Sequence, residues 1–193
     1  MGRKDLTETR REQILDAFER CIVEFGLIGT TLTKVAERAQ INRGQIHQYI
    51  GDRNALFAAL VERLIVSYKA EFSNYLDANM DKPCQDTIVE YLFEEWGRVD
   101  ADDDLIIDAI MAESAHNLQL HRTILDAYTI LEAVLADMLH NSFPSTPIEG
   151  CQDVAYALMS MAYGNSTMLW LGFERSRLIG VRSLARTLIK TLE

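Results

Sequence analysis

The residues Arg43-Gly-Gln-Ile-His-Gln-Tyr-Ile50 concentrate polar groups suited to reading nucleic acid. A glutamine amide can bond adenine in a bidentate way, and a guanidinium can bond guanine or phosphate. Wound as a helix, the segment puts Gln45, Gln48 and Tyr49 on one polar side, flanked by Arg43 and His47, with Ile46 and Ile50 turned inward. Such an outward side is what major-groove reading needs, although short amphipathic helices also occur as plain solvated faces. A second pattern, Glu113-x-x-His116, has the spacing of carboxylate di-metal bundles. Those sites need two such motifs and only one occurs, so no metal is expected. Cys21, Cys84 and Cys151 are odd in number and far apart, which disfavours a disulfide framework or a zinc ribbon. They read as thiols packed like small apolar groups. No glycine-rich phosphate loop is visible, and no cofactor is expected.

The elements that would position these groups read as helices throughout. Thr9-Arg10-Arg11-Glu12 has capping-box spacing, and Ile14, Leu15, Phe18, Ile22 and Phe25 follow at helical intervals up to Gly26. This predicts a first helix over about 9–25. Thr31 can cap a second, with Val35, Ala36 and Ala39 on its inner face. After the break Gln40-Ile41-Asn42, Asn42 can cap a third over about 43–50. Two short helices across a three-residue break are the sequence image of a helix-turn-helix. Gln45 stands three residues after Asn42, so its side chain is divided between capping and base contact. Asp52 can cap a fourth helix from Arg53 to about Asn79. Further helical stretches are expected at about 85–98, 103–117, 120–141, 150–173 and 176–192, with a loop over 141–147.

The chain has 193 residues, 48% hydrophobic and 25% charged, with ten glycines and three prolines. So few turn-formers disfavour a many-stranded fold. The formal net charge is −10, but residues 1–57 carry nine basic against eight acidic groups while the remainder carries ten against twenty-one. The N-terminal quarter therefore escapes the acidity that would repel nucleic acid. The first twelve residues hold no apolar run, so no secretory signal is expected and a cytoplasmic location is. Val154 to Phe173 runs twenty residues without charge, yet it clusters Asn165, Ser166 and Thr167 at its middle, so a helix buried by protein is expected and not a membrane span.

The stretch Phe25-Gly26, Thr30-Thr31-Leu32-Thr33-Lys34-Val35-Ala36-Glu37-Arg38-Ala39, Ile41-Asn42-Arg43-Gly44, Ile50 and Arg53-Asn54-Ala55-Leu56-Phe57 resembles the N-terminal signature of TetR/AcrR-type transcriptional regulators. Ile14-Leu15-Asp16-Ala17-Phe18 matches its first helix. The resemblance implies an all-α homodimer: a three-helix DNA-binding head over 1–52 and a helical ligand-binding and dimerisation domain over 53–193. It places Arg43, Gln45, His47, Gln48 and Tyr49 towards a double-stranded DNA operator. Thr31, Thr33 and Lys34 would meet phosphates or flanking bases, and Arg53 falls where the family usually has a phosphate-binding Lys. Gln40 stands where the family usually has Gly, and His47 where it favours Tyr. If position 40 needs a positive φ, Gln costs roughly 1 kcal/mol there.

In the body, Ile106, Ala109, Ile110, Glu113 and His116 share one side at spacings of three and four. Glu113 either pairs with an arginine such as Arg98 or Arg122, reaches solvent, or lines a pocket for an unknown small-molecule effector. Trp96, Met111, His116, Tyr128, Tyr163, Met168 and Trp170 are the other candidate pocket residues, with plain core as the alternative for the apolar ones. Ala157, Met161, Gly164, Met168 and Leu171 form a stripe, as do Leu178, Val181, Leu184, Leu188 and Leu192. Helices over about 150–173 and 176–192 are therefore expected to build the homodimer, with the basic groups of the last helix solvated or facing acidic neighbours. The rival class is a helical small-molecule or metal-binding enzyme with an incidental N-terminal helix pair.

Overall fold

The computed structural model describes residues 3–95 and 101–193, and the described residues contain nine α-helices and no strand. They are α1 (Arg3–Gly29), α2 (Leu32–Arg38), α3 (Arg43–Tyr49), α4 (Arg53–Ala78), α5 (Cys84–Glu90), α6 (Ala101–Ser114), α7 (Leu118–Ser142), α8 (Ile148–Trp170) and α9 (Leu178–Ile189). A π-helical turn over Tyr91–Glu95 continues α5. The expected helices are present, with ends displaced by a few residues. The last residues of the stretch expected over 85–98 fall outside the described ones. No helix among the described residues is long and apolar enough to cross a membrane.

The first compact unit comprises Met1–Ser67 and Asp100–Leu125. Its core collects Ile14, Leu15, Phe18, Cys21 and Ile22 of α1, Val35 and Ala36 of α2, Ile46 of α3, and Leu56, Phe57 and Leu60 of α4. Phe18 and Phe57 meet edge to face at 5.0 Å. The unit that holds the helix pair thus continues past residue 52. Ile106, Ala109 and Ile110 of α6 join the same core, so that side of α6 is a packing face against α1.

Two expectations about α1 need correction. The helix starts at Arg3, so Thr9 and Glu12 lie inside it and form no N-terminal box. Glu12 instead shares Arg63 of α4 with Asp16 and Glu19, at 3.0, 2.8 and 2.6 Å. Burial opposes the Arg63 charge, but these hydrogen bonds outweigh it and push its pKa up. The stop at Gly26 is real: φ +65°, ψ 176° breaks the helix there, a conformation that glycine adopts without steric cost.

The second unit comprises Tyr68–Val99 and Asp126–Glu193. Its core is built from Phe72, Ile88, Val89, Leu92, Phe93, Leu135, Leu139, Cys151, Ala155, Leu158, Ala185 and Ile189. Burial pushes up the thiols of Cys84 and Cys151 here, and of Cys21 in the first unit, as fits reduced cysteines used as packing groups. Arg186 pairs with Asp86 at 3.0 Å and Arg182 with Glu94, so two basic groups of α9 face acidic neighbours.

The two C-terminal stripes are rearranged. Leu178, Val181 and Leu188 pack on this core and Leu192 is buried, because α9 must cover α5 and α8. Of that stripe only Leu184 is exposed. On α8 the outward line is Tyr156, Ser160, Tyr163, Thr167 and Trp170, while Ala157, Met161 and Gly164 are half-buried beside it.

Candidate nucleic-acid interface

The α2–α3 pair is held by local hydrogen bonds. Thr31 caps α2, its Oγ1 accepting from the Lys34 amide at 3.3 Å. At the other end Gln40 takes φ +54°. Its amide donates to the Glu37 carbonyl at 3.1 Å, and the Ile41 amide donates to the Ala36 carbonyl at 3.0 Å. Gln13 of α1 donates its Nε2 to the Ala39 carbonyl at 2.6 Å, satisfying an acceptor left over at the end of α2.

Asn42 and Gln45 form a full capping box. Asn42 Oδ1 accepts from the Gln45 amide at 3.0 Å, and Gln45 Oε1 accepts from the Asn42 amide at 3.1 Å. The Gln45 carbonyl oxygen is therefore engaged in starting α3. Ile46 is fully buried, and Tyr49 and Ile50, three and four residues on, pack against the same core. The outward side of α3 is consequently Arg43, Gly44, His47 and Gln48. Tyr49 is half-buried and belongs to the inner side, unlike the grouping expected from the sequence. Thr31 and Thr33 are exposed at the start of α2. Lys34 is half-buried and donates its Nζ to the Gly29 carbonyl at 2.8 Å.

Arg53 opens α4, after the Asp52 carboxylate accepts from the Ala55 amide at 2.9 Å. Its guanidinium lies 5.0 Å from the Phe57 ring centre, donates to the Leu27 carbonyl at 3.4 Å and pairs with Glu113 at 3.3 Å. Glu113 thus pairs with an internal arginine sixty residues earlier, and not with Arg122. Arg98 itself lies outside the described residues. The Arg53 side chain remains 38% exposed, leaving donors open to a further anion. A partly exposed pair of this kind contributes up to about 1 kcal/mol. Glu113→Gln should therefore lower the melting temperature by about 2–4 °C. An unchanged thermal melt would show that the contact carries no net energy.

The sequence model for bacterial regulatory proteins, tetR family, matches residues 14–60, the span from the first core residue of α1 into α4. Over these residues the chain is similar to the tetR family of bacterial regulatory proteins. An HTH-type transcriptional regulator BetI from Burkholderia thailandensis is 37% identical over 83 residues, 43% of this chain and 43% of that protein. The match therefore spans less than half the length of this relative. A BetI from Burkholderia cenocepacia is 42% identical over 65 residues, 34% of each chain. Among solved structures, a TetR-family regulator from Cytophaga hutchinsonii superposes with a TM-score of 0.79 at 16% identity, covering 97% of this chain and 96% of its own. A TetR regulator from Haloarcula marismortui gives 0.81 at 13% identity, over 95% and 98%. Over the superposed parts the chain thus has the fold of these structures.

Within this chain the candidate effector residues are not gathered in one unit. Met111 is half-buried and His116 exposed, both in the first unit with Glu113. Tyr128 and Met168 belong to the second. Tyr128 packs beside that unit's core, where burial, and then the nearby Tyr163, push its phenol up. Met168 is exposed, and Trp96 lies outside the described residues. A groove of about 520 Å³ runs along α9, lined by Ile179, Arg182, Ser183, Arg186, Thr187 and Lys190, and none of the candidates among the described residues lines it. Among the described residues no three His, Cys, Asp or Glu side chains are placed to hold a metal ion.

Proposed function

We propose that the protein is a homodimeric, ligand-responsive DNA-binding transcriptional regulator, a repressor released from a palindromic operator by a small molecule. The observation that carries this reading is the outward side of α3. Arg43, His47 and Gln48 project from a short helix whose start is fixed by a capping box and whose back is anchored by Ile46. Residues 1–52, together with Arg53 at the start of α4, supply the DNA contacts, with Gln48 and Arg43 reading base edges and Thr31, Thr33, Lys34 and Arg53 meeting the backbone. Gln45 and Tyr49 act on this surface from its flanks, the first through its free amide nitrogen. Residues 53–193 supply effector binding and the dimer contact. BetI, named as an HTH-type transcriptional regulator, supports the same assignment for the head.

The dimer is proposed to form through α8 and α9, whose outward faces carry Tyr156, Tyr163, Trp170, Leu171, Ile179 and Leu184. A two-fold axis through them presents two copies of α3 to successive major grooves of an inverted repeat. Effector binding in the body then favours a head spacing that no longer fits the operator, a shift of population between two states.

Arg43→Ala tests the reading directly. Operator affinity should fall, and the slope of log affinity against log salt should flatten by about 0.9 if the contact is to phosphate. If the guanidinium reads a base edge, the slope should hold while one position per half-site loses its preference, at about 1–3 kcal/mol. Parent-like affinity and specificity in this variant would remove Arg43 from the interface.

A further inference from the structure

Lys34 is the basic side chain within α2 that faces the start of that helix, and its ammonium is held from two sides. Its Nζ donates to the Gly29 carbonyl and sits 3.9 Å from the centre of the Phe25 ring. The ring is part of no core: Phe25 is exposed beyond a third of its surface, although phenylalanine gains most from burial. Three local features put it there. Gly26 turns the chain with φ +65° directly after Phe25. The Thr30 hydroxyl closes the following loop, lying 2.9 Å from the Cys21 carbonyl and 2.8 Å from the Gly26 carbonyl. Gly29 leaves room: a Cβ at that position would stand 3.0 Å from the Phe25 Cβ, tighter than real contacts allow without a shift.

From this geometry we propose that Phe25 is a positioning residue for DNA binding, its ring face holding the Lys34 ammonium at the N-terminal edge of α2 for a backbone phosphate. The inference rests on the DNA-binding reading above and extends it to a residue that touches no DNA itself. A lysine carries several freely rotating bonds, and ordering it on the nucleic acid costs entropy. A ring that already cradles the ammonium removes part of that cost, because the negative face of the π system attracts the cation. One face of the ammonium is taken by the ring and one hydrogen by Gly29, which still leaves an N–H group for an anion. The guanidinium of Arg38, 5.8 Å from the same ring and paired with Glu24, borders the site and limits the directions open to the lysine.

The test uses the full chain and the duplex that the parent enriches most from a randomised library. Affinity is measured at several potassium chloride concentrations for the parent, Phe25→Leu, Lys34→Met and the double variant. Phe25→Leu keeps an apolar side chain but removes the π face. It should weaken binding about two- to five-fold in the presence of Lys34, the size of an exposed cation–π contact. It should have no further effect in the Lys34→Met background, and Phe25→Tyr should bind like the parent. Equal weakening in both backgrounds would mean that Phe25 only supports the fold, and would overturn the proposal, as would a Phe25→Leu variant that binds like the parent or more tightly. Failure of the parent to enrich any duplex would overturn the DNA-binding reading and this inference together. Enrichment with no coupling between positions 25 and 34 overturns this inference alone.

Discussion

Phe57→Ala is expected to destabilise the first unit by about 3–5 kcal/mol, the range for truncating a fully buried phenylalanine. The side chain is completely inaccessible and packs edge to face on Phe18, so its removal loses apolar burial, leaves a cavity and breaks an aromatic contact at once. The surrounding groups come from α1, α2, α3 and α4 and are tied by short loops, which restricts how far they can collapse into the space. The same ring lies under the Arg53 guanidinium, so the variant should also release a proposed phosphate contact. Urea unfolding followed by helical circular dichroism should show the midpoint of the first unit moving down sharply. Phe57→Leu, which keeps most of the volume, should recover most of the loss. A variant losing less than about 1 kcal/mol would contradict the packing described here.

Replacing Tyr163 and Trp170 together by arginine is expected to convert the proposed dimer to a monomer. Tyr156, Tyr163 and Trp170 follow one another at intervals of seven along α8 and expose 65%, 41% and 54% of their surfaces. Soluble monomers rarely leave a contiguous apolar line of this kind in water, and aromatic anchors carry much of the energy where such lines are covered. In a two-fold contact each substitution appears twice, so four new charges would have to be desolvated against one another. Loss of two anchors at about 2 kcal/mol or more each raises the dissociation constant by at least about a hundred-fold. Light scattering and sedimentation at micromolar concentration should report a monomer, and operator affinity should fall with it because two half-sites are no longer bound by one particle. A variant that stays dimeric would place the subunit contact elsewhere, and a parent that is monomeric at the same concentration would remove the dimer from the proposal.

The features that were legible in the sequence are those decided within one or two turns of chain. Asn42 and Gln45 stand at the spacing of a capping box, and both halves of it form. Gly26 marks a stop, and the backbone breaks there. Asp52 announces the start of α4 and caps it. The misplacements arise where partners come from afar. Nothing near Glu113 points to Arg53, since the pair exists only once α6 packs on the first unit. Thr9 looked like a cap because its neighbours fit one, yet helix continues through it to Arg3. On α8 and α9 both faces are apolar enough to be buried, and periodicity alone does not say which one the chain covers itself. Tyr49 is a different case: Ile46, Tyr49 and Ile50 are spaced three and four apart, so its inward direction was available from the pattern and was hidden by its hydroxyl.

The left-handed backbone at Gln40 bears on how this turn tolerates change. A side chain in that conformation costs about 1–2 kcal/mol against glycine in the folded protein. Glycine in turn gives the unfolded chain more freedom to lose, a difference of about 0.4–1 kcal/mol in the opposite direction. The two effects largely offset, so the net penalty for a glutamine at the bend is smaller than the folded structure alone implies. What the helix pair requires is the bend, which is closed by the Gln40 and Ile41 amides on the Glu37 and Ala36 carbonyls and so needs a backbone N–H at position 40. That leaves position 40 open to glycine, asparagine and similar unbranched residues, and closed to proline and β-branched ones.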